Sequence, residues 1–257
     1  MPPFIKLSSP ATQEFWEIPV LWEDDQLLAV AKPSGLLTSP DRYDPERPNL
    51  MRLLHQDIAR GAKWAREGGI TYLANAHRLD FETSGILLLA KDKPTLVKLA
   101  DQFGTEKPGK TYVALGQGVA AQDSFEVDAP LGPHPAKPWV IQVRKKDGKK
   151  ALTRFEVMER FKGFTLFRCH PVTGRTHQIR VHLQHAGHPV VGDANYGGEA
   201  LWLSRLKSSY RLRGGKKERP LLQRVALHAA ELAILHPATA SPLTITCPWP
   251  KDLTVAV

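Results

Sequence analysis

Ten residues, Ala76 to Gly85, bring a cation (Arg78), a carboxylate (Asp80), a hydroxyl (Thr83) and a glycine into one short connection. The run that follows, Ile86-Leu87-Leu88-Leu89-Ala90, is continuously apolar, as in a strand covered on both faces. A carboxylate at the mouth of such a strand sits beside a dry core, and loops mounted on rigid scaffolds tend to carry function. Asp80 reads as the reacting group, able to serve as nucleophile or as general base. By residue type alone, Asp80 and Arg78 serve equally well as a structural ion pair, or Asp80 and Thr83 as turn formers.

A second dense stretch runs from Pro171 to Gly187 and holds Arg175, His177, Arg180, His182 and His185. It is expected to be a helix capped by Thr173 and closed by Gly187 in the left-handed conformation. Ile179, Leu183 and Ala186 would share its apolar face, with His177, Arg180 and Gln184 on another. Tyr112 lies in Lys110–Gly116, a β-branched and aromatic strand pattern that needs no function to explain it.

Other chemistries find little support. His177, His182, His185 and His188 cluster, but no His-Glu-x-x-His is present and the rings alternate around the predicted helix, so no metal site is indicated. Gly-x-Ser-x-Gly, Gly-x-Gly-x-x-Gly and the P-loop are absent, which leaves no Ser elbow and implies no nucleotide cofactor. Cys169 and Cys247 stand far apart without Cys-x-x-Cys, as suits a reducing cytoplasm. No apolar run reaches a membrane span, so no membrane partner is expected.

The elements that must position these groups follow from periodicity. Pro19–Glu23 and Gln26–Ala31 flank Asp24-Asp25 as a hairpin, ended by Lys32-Pro33-Ser34-Gly35. Lys32 there is either strand-ending punctuation or a contact to a substrate phosphate. Leu50–Ala65 and Lys93–Phe103 read as helices, the second capped by Asp92. From Trp139 the chain turns to hairpins, with Val140–Arg144 joined through Asp147-Gly148 to Ala151–Phe161, and Lys162-Gly163 leading to Phe164–Cys169. Val225–Leu235 and Leu243–Cys247 close the chain as strands. Residues 1–18 show no clear period and are expected to lie on the surface as an extension, with 19–257 as one catalytic domain.

Lys+Arg 35 against Asp+Glu 26 gives a net charge of +9, which favours polyanionic partners. Arg144, Lys145, Lys146, Lys149 and Lys150 crowd one turn, and Arg205–Pro220 holds seven basic residues and one acid. Both would suit phosphate contacts. An Asp, a Tyr, several Arg and a basic surface fit a cofactor-free reaction on a polyanion.

Five ordered motifs sharpen this. His77-Arg78-Leu79-Asp80-x-x-Thr83-Ser84-Gly85-Ile86-Leu87-Leu88-Leu89-Ala90-Lys91 closely resembles the signature of the RluA-type RNA pseudouridine synthases. So do Lys32-Pro33-Ser34-Gly35, Lys110-Thr111-Tyr112, Thr173-Gly174-Arg175-Thr176-His177-Gln178-Ile179-Arg180-Val181-His182 and Gly187-His188-Pro189-Val190-Val191-Gly192-Asp193. The resemblance implies an α+β catalytic fold, a long bent mixed β-sheet flanked by helices with a central RNA-binding cleft. It implies that uridines of structured ribosomal or transfer RNA are isomerised to pseudouridine without cofactor or metal; no long coiled-coil pattern forces a dimer, and a monomer is expected.

It also implies roles. Asp80 resembles the catalytic aspartate, Arg180 the basic residue paired with it, Tyr112 the tyrosine stacked on uracil, and Arg78 the arginine that helps displace the nucleotide. Leu227 resembles the apolar residue packed on the base, and Lys32, Arg175 and His177 fall within matched motifs on the substrate side. Many relatives carry a small RNA-binding domain ahead of the catalytic one; the first motif starts too early here to leave room for it. Two other classes remain open: an RNA-binding module that tolerates loss of Asp80, and a metal-dependent hydrolase built on the histidine cluster.

Overall fold

The computed structural model describes residues 4–41, 44–207, 209–211 and 217–257. In chain order its first half comprises β1 (Phe4–Ser9), β2 (Glu14–Glu23), β3 (Leu27–Lys32), α1 (Leu50–Ala59), α2 (Lys63–Glu67), β4 (Ala74–Asn75), β5 (Ser84–Ala90) and α3 (Lys93–Gly104). Then come β6 (Gly109–Gln117), β7 (Ser124–Asp128), β8 (Leu131–His134), β9 (Lys137–Val143), β10 (Leu152–Phe161), β11 (Phe164–Pro171) and α4 (Gln178–His185). A 3-10 turn (Ala194–Tyr196), α5 (Leu203–Leu206), β12 (Leu227–Leu235), β13 (Pro242–Thr246) and α6 (Lys251–Ala256) complete it. Among the described residues no helix is long and apolar enough to cross a membrane.

The chain divides into two compact units, Met1–Gly109 with Ala229–Pro248, and Lys110–His228 with Trp249–Val257. Two of the three boundaries fall inside strands, β6 and β12, where composition gives no sign of a linker.

In the first unit the strand order is β1-β2-β3-β5-β12, with β13 beside β12 and β4 beside β5. The apolar run of β5 is continuous because both its faces are covered. Leu87 and Leu89 join Leu28 and Val30 of β3 beneath Leu50, Leu53 and Leu54 of α1. Ile86, Leu88 and Ala90 join Leu27 and Ala29 against Leu99 of α3, on the alternate face. Each buried leucine contributes about 1.5 to 3 kcal/mol relative to exposure, so β5 is a rigid base for the loop that precedes it.

Residues 4–18 do not form the expected surface extension. Over the described part, β1 pairs antiparallel with β2 from Phe4↔Pro19 to Ser9↔Glu14, and Ile5, Leu7 and Ile18 are buried. The alternation Ile5-x-Leu7 was the signal, masked by charged neighbours that face water. The predicted helix Leu50–Ala65 stops at Ala59 and resumes as α2 after Gly61. Asn49 caps α1 by accepting from the Arg52 N–H, and Asp92 caps α3 from the Thr95 N–H, both 2.9 Å or shorter.

The second unit has the order β6-β11-β10-β7 and a separate two-stranded ribbon, β8-β9. The β10–β11 hairpin closes at Phe161↔Phe164, as its Lys-Gly turn predicts. The expected pairing of Val140–Arg144 with Ala151–Phe161 is not found. β9 pairs with β8 instead, because Leu131 bridges both Val143 and Lys149 and so takes the place next to β9. Part of the Arg205–Pro220 loop lies outside the described residues, and α5 leads into it.

Candidate functional site

In the first unit, Ala76–Thr83 links β4 to β5 and is held along its main chain. The Thr38 hydroxyl donates to the Leu79 carbonyl at 2.9 Å and accepts the Leu79 N–H at 3.1 Å, so one side chain satisfies both polar groups beside Asp80. The Thr83 N–H donates to the Asp80 carbonyl at 3.2 Å, the Gly35 N–H to Phe81 at 2.9 Å, and the Ser34 hydroxyl to Glu82 at 2.6 Å. Arg47 lies 3.9 Å over the Phe81 ring. His77 accepts the Leu88 N–H at 3.1 Å and stacks on Phe103. Asp80 is half-buried and Arg78 exposed.

Gly85 explains the Thr-Ser-Gly sequence. Its φ is +121°, and a Cβ there would lie 2.2 Å from the Ala229 carbonyl oxygen. Only glycine lets β5 leave the loop so close to β12.

Lys32 ends β3 and is buried there. It is 1% exposed, and its ammonium donates to the carbonyls of Leu36 at 2.7 Å, Pro33 at 2.8 Å and Phe81 at 3.4 Å. An ammonium has three N–H donors, so this geometry spends it on fixing the two loops together. Removing it orphans carbonyls at about 1 to 3 kcal/mol each. Lys32→Met is therefore expected to cost about 3 kcal/mol, read as a lower urea midpoint; an unchanged midpoint would mean that water takes over the three carbonyls.

In the second unit, α4 begins one residue after His177, which is left-handed at φ +53°. Thr173 does not cap it. The Thr173 hydroxyl donates to Gln178 Oε1 at 2.6 Å and accepts the Leu152 N–H, and Gln178 Oε1 also accepts the Arg175 N–H at 2.9 Å. Gln178 thus locks the Thr173-Gly174-Arg175 turn, while exposed Arg175 donates through Nε to the Lys150 carbonyl. Gly187 is left-handed after α4, as expected.

Arg180, four residues before exposed Gln184, is itself buried. It is 0% exposed and grips Asp193 through two parallel bonds, Nε to Oδ2 at 2.6 Å and an Nη to Oδ1 at 2.8 Å. Its guanidinium carbon lies 5.0 Å from the centre of the Tyr196 ring. The Tyr196 hydroxyl accepts the Ile141 N–H at 3.0 Å and is 2.7 Å from His177 Nδ1. Asp193 and Tyr196 were not singled out from sequence; the motif ending Gly192-Asp193 was the available signal.

Tyr112 is half-buried in β6 opposite Cys169, and Leu227 is buried at the start of β12. The histidines of the cluster diverge. His182 lies between the Thr153 hydroxyl and the Ala129 carbonyl, and burial holds its pKa below the usual imidazole value, with the carbonyl opposing. His188 Nδ1 instead meets the Gln117 carbonyl. Among the described residues no three His, Cys, Asp or Glu side chains group as metal ligands. Burial pushes both thiols up, that of Cys247 to about 11, far from reactive thiolates.

The sequence profile of a family described as RNA pseudouridylate synthase matches residues 26–185. A ribosomal large subunit pseudouridine synthase D of Xanthomonas campestris pv. campestris is 36% identical over 237 residues, 91% of this chain and 66% of the relative. A ribosomal large subunit pseudouridine synthase C of Salmonella typhi is 36% identical over 235 residues, covering 91% and 67%. The chain thus spans about two thirds of the length of these relatives. The solved human RNA Pseudouridylate Synthase Domain Containing 4 superposes with a TM-score of 0.69 at 25% identity, over 92% of this chain and 90% of that one. Motifs, profile, relatives and fold agree, and the chain belongs to the RNA pseudouridylate synthase family.

Proposed function

We propose that the protein is an isomerase that converts uridine to pseudouridine in ribosomal RNA of the large subunit. The observation that carries this is the Asp80 loop, whose main chain is pinned by Thr38, Lys32, Ser34 and Gly35 directly ahead of a buried strand. The printed names of the bacterial relatives support the choice of ribosomal RNA. Buried Cys169 and Cys247, neither in a disulfide, suit a reducing cytoplasm.

The reaction breaks the bond from ribose C1′ to N1 of uracil and makes one from C1′ to C5. C5 loses a proton and N1 gains one, so no atom is added and no co-reactant is consumed. Asp80 starts the detachment, as nucleophile at C1′ or as base on the sugar. Arg180, kept charged and oriented by Asp193, supplies the cation that favours an ionised carboxylate.

A stacked base must first be extruded, at a cost of a few kcal/mol. Arg78, exposed on the loop, assists that displacement. Stacking on Tyr112 returns about 1 to 3 kcal/mol, and its hydroxyl takes part in removing the C5 proton. Tyr112→Phe is expected to bind RNA normally but lose product formation in a single turnover; full activity would limit the residue to stacking.

The function is tested by mass-spectrometric mapping of pseudouridine, after cyanoethylation, in ribosomal RNA from cells with and without the protein. Sites that disappear with the protein and return with it are expected. A map independent of the protein would reject the proposal.

A further inference from the structure

We propose that the β8-β9 ribbon is a binding surface for a single-stranded RNA segment, with Trp139 as the stacking platform for one base. This rests on the RNA substrate proposed above and adds a contact outside the reacting nucleotide.

Trp139 is 59% exposed on β9. Among the described residues its indole makes no ring stack, cation contact or hydrogen bond. An aromatic left so open is costly to keep in water, and the ribbon holds it there by design of the ladder. His134 pairs with Lys137 but Pro133 pairs with Ile141, so Pro138, Trp139 and Val140 bulge out of register. Bulges re-aim side chains. The bulge stands on a fixed base, since the next residue, Ile141, donates to the Tyr196 hydroxyl, and Ile141 and Val143 pack on Leu131, Ala151 and Val181.

The charge on the same ribbon selects the partner. Lys137 lies two residues before Trp139, and both are exposed. At the other end of β9, Lys145, Lys146, Lys149 and Lys150 are exposed, and among the described residues none has a carboxylate partner; Asp147 is taken by Arg144. Trp139 and that turn are five residues apart, about 17 Å along a strand. A platform for a π-face with lysines ahead of it and behind it fits bases that stack and phosphates that follow the groove. A partner without negative charge would leave these lysines without counter-charge.

Binding of a labelled 12-nucleotide oligoadenylate to the full chain tests this, because stacking on an aromatic is sequence-tolerant. W139A is expected to raise Kd about tenfold at every salt concentration, with the slope against salt unchanged, and W139F to stay within about threefold of wild type. An unchanged Kd in W139A overturns the inference, as does equal loss in W139A and W139F, or failure of wild type to bind the oligonucleotide. Pseudouridine formation is assayed on the same wild-type preparation. If it occurs and W139A binds normally, only this surface is lost; if it does not occur, the proposed function falls on its own.

Discussion

Asp80→Asn is expected to bind RNA as tightly as wild type while forming pseudouridine at least 10^4-fold more slowly, on the order of what removing a reacting group costs other enzymes. The amide has nearly the shape of the carboxylate but neither its charge nor its basicity. The bonds that Thr38, Lys32, Gly35, Ser34 and Thr83 make to the loop all end on main-chain atoms of Leu79 to Glu82, and the substitution leaves them in place. Loss of activity would thus report chemistry and not collapse of the loop. Single-turnover product analysis beside filter binding separates the two. Retained turnover would remove Asp80 from the reaction and favour an RNA-binding module.

Asp193→Ala is expected to be the most destabilising change in the second unit. The Arg180 guanidinium and its partner are each 1% exposed at the side chain. Removing the carboxylate breaks a buried, two-bonded ion pair, at about 3 to 5 kcal/mol, which lowers Tm on the order of 10 °C for units of this size. Calorimetry reads the loss. A shift below about 2 °C would show that Arg180 swings to solvent, in which case activity should fall while the fold persists.

The sequence was most legible where a local period carried the information. The buried strand Ile86–Ala90, the Asp92 cap, the Asp24 turn and the Lys162-Gly163 hairpin all depend on residues within one or two turns of each other. The Asp24 carboxylate accepts the N–H groups of Gln26 and Leu27 and a bond from Trp22 and, with His236, these outweigh burial and hold it below the usual carboxylate range. Features set by distant partners were less legible. That Lys32 is buried depends on carbonyls at 33, 36 and 81 closing around it, and that Arg180 faces inward depends on Asp193 thirteen residues later. Neither a helical wheel nor a charge count registers a cation whose cost of burial is met by a distant partner. β9 was paired with the wrong strand for a similar reason, since the competing bridge comes from Leu131, upstream of the visible turn signal.

Gly85 has a bearing on heredity. A Cβ at this position would meet the Ala229 backbone at 2.2 Å from its oxygen and 2.6 Å from its nitrogen, neither of which can be trimmed by changing a side chain. Every single-base missense change of a glycine codon installs a residue with a Cβ. The position therefore has no neutral neighbour in the genetic code, and no substitution at 229 can create one. At Gly85 a lineage must stay still.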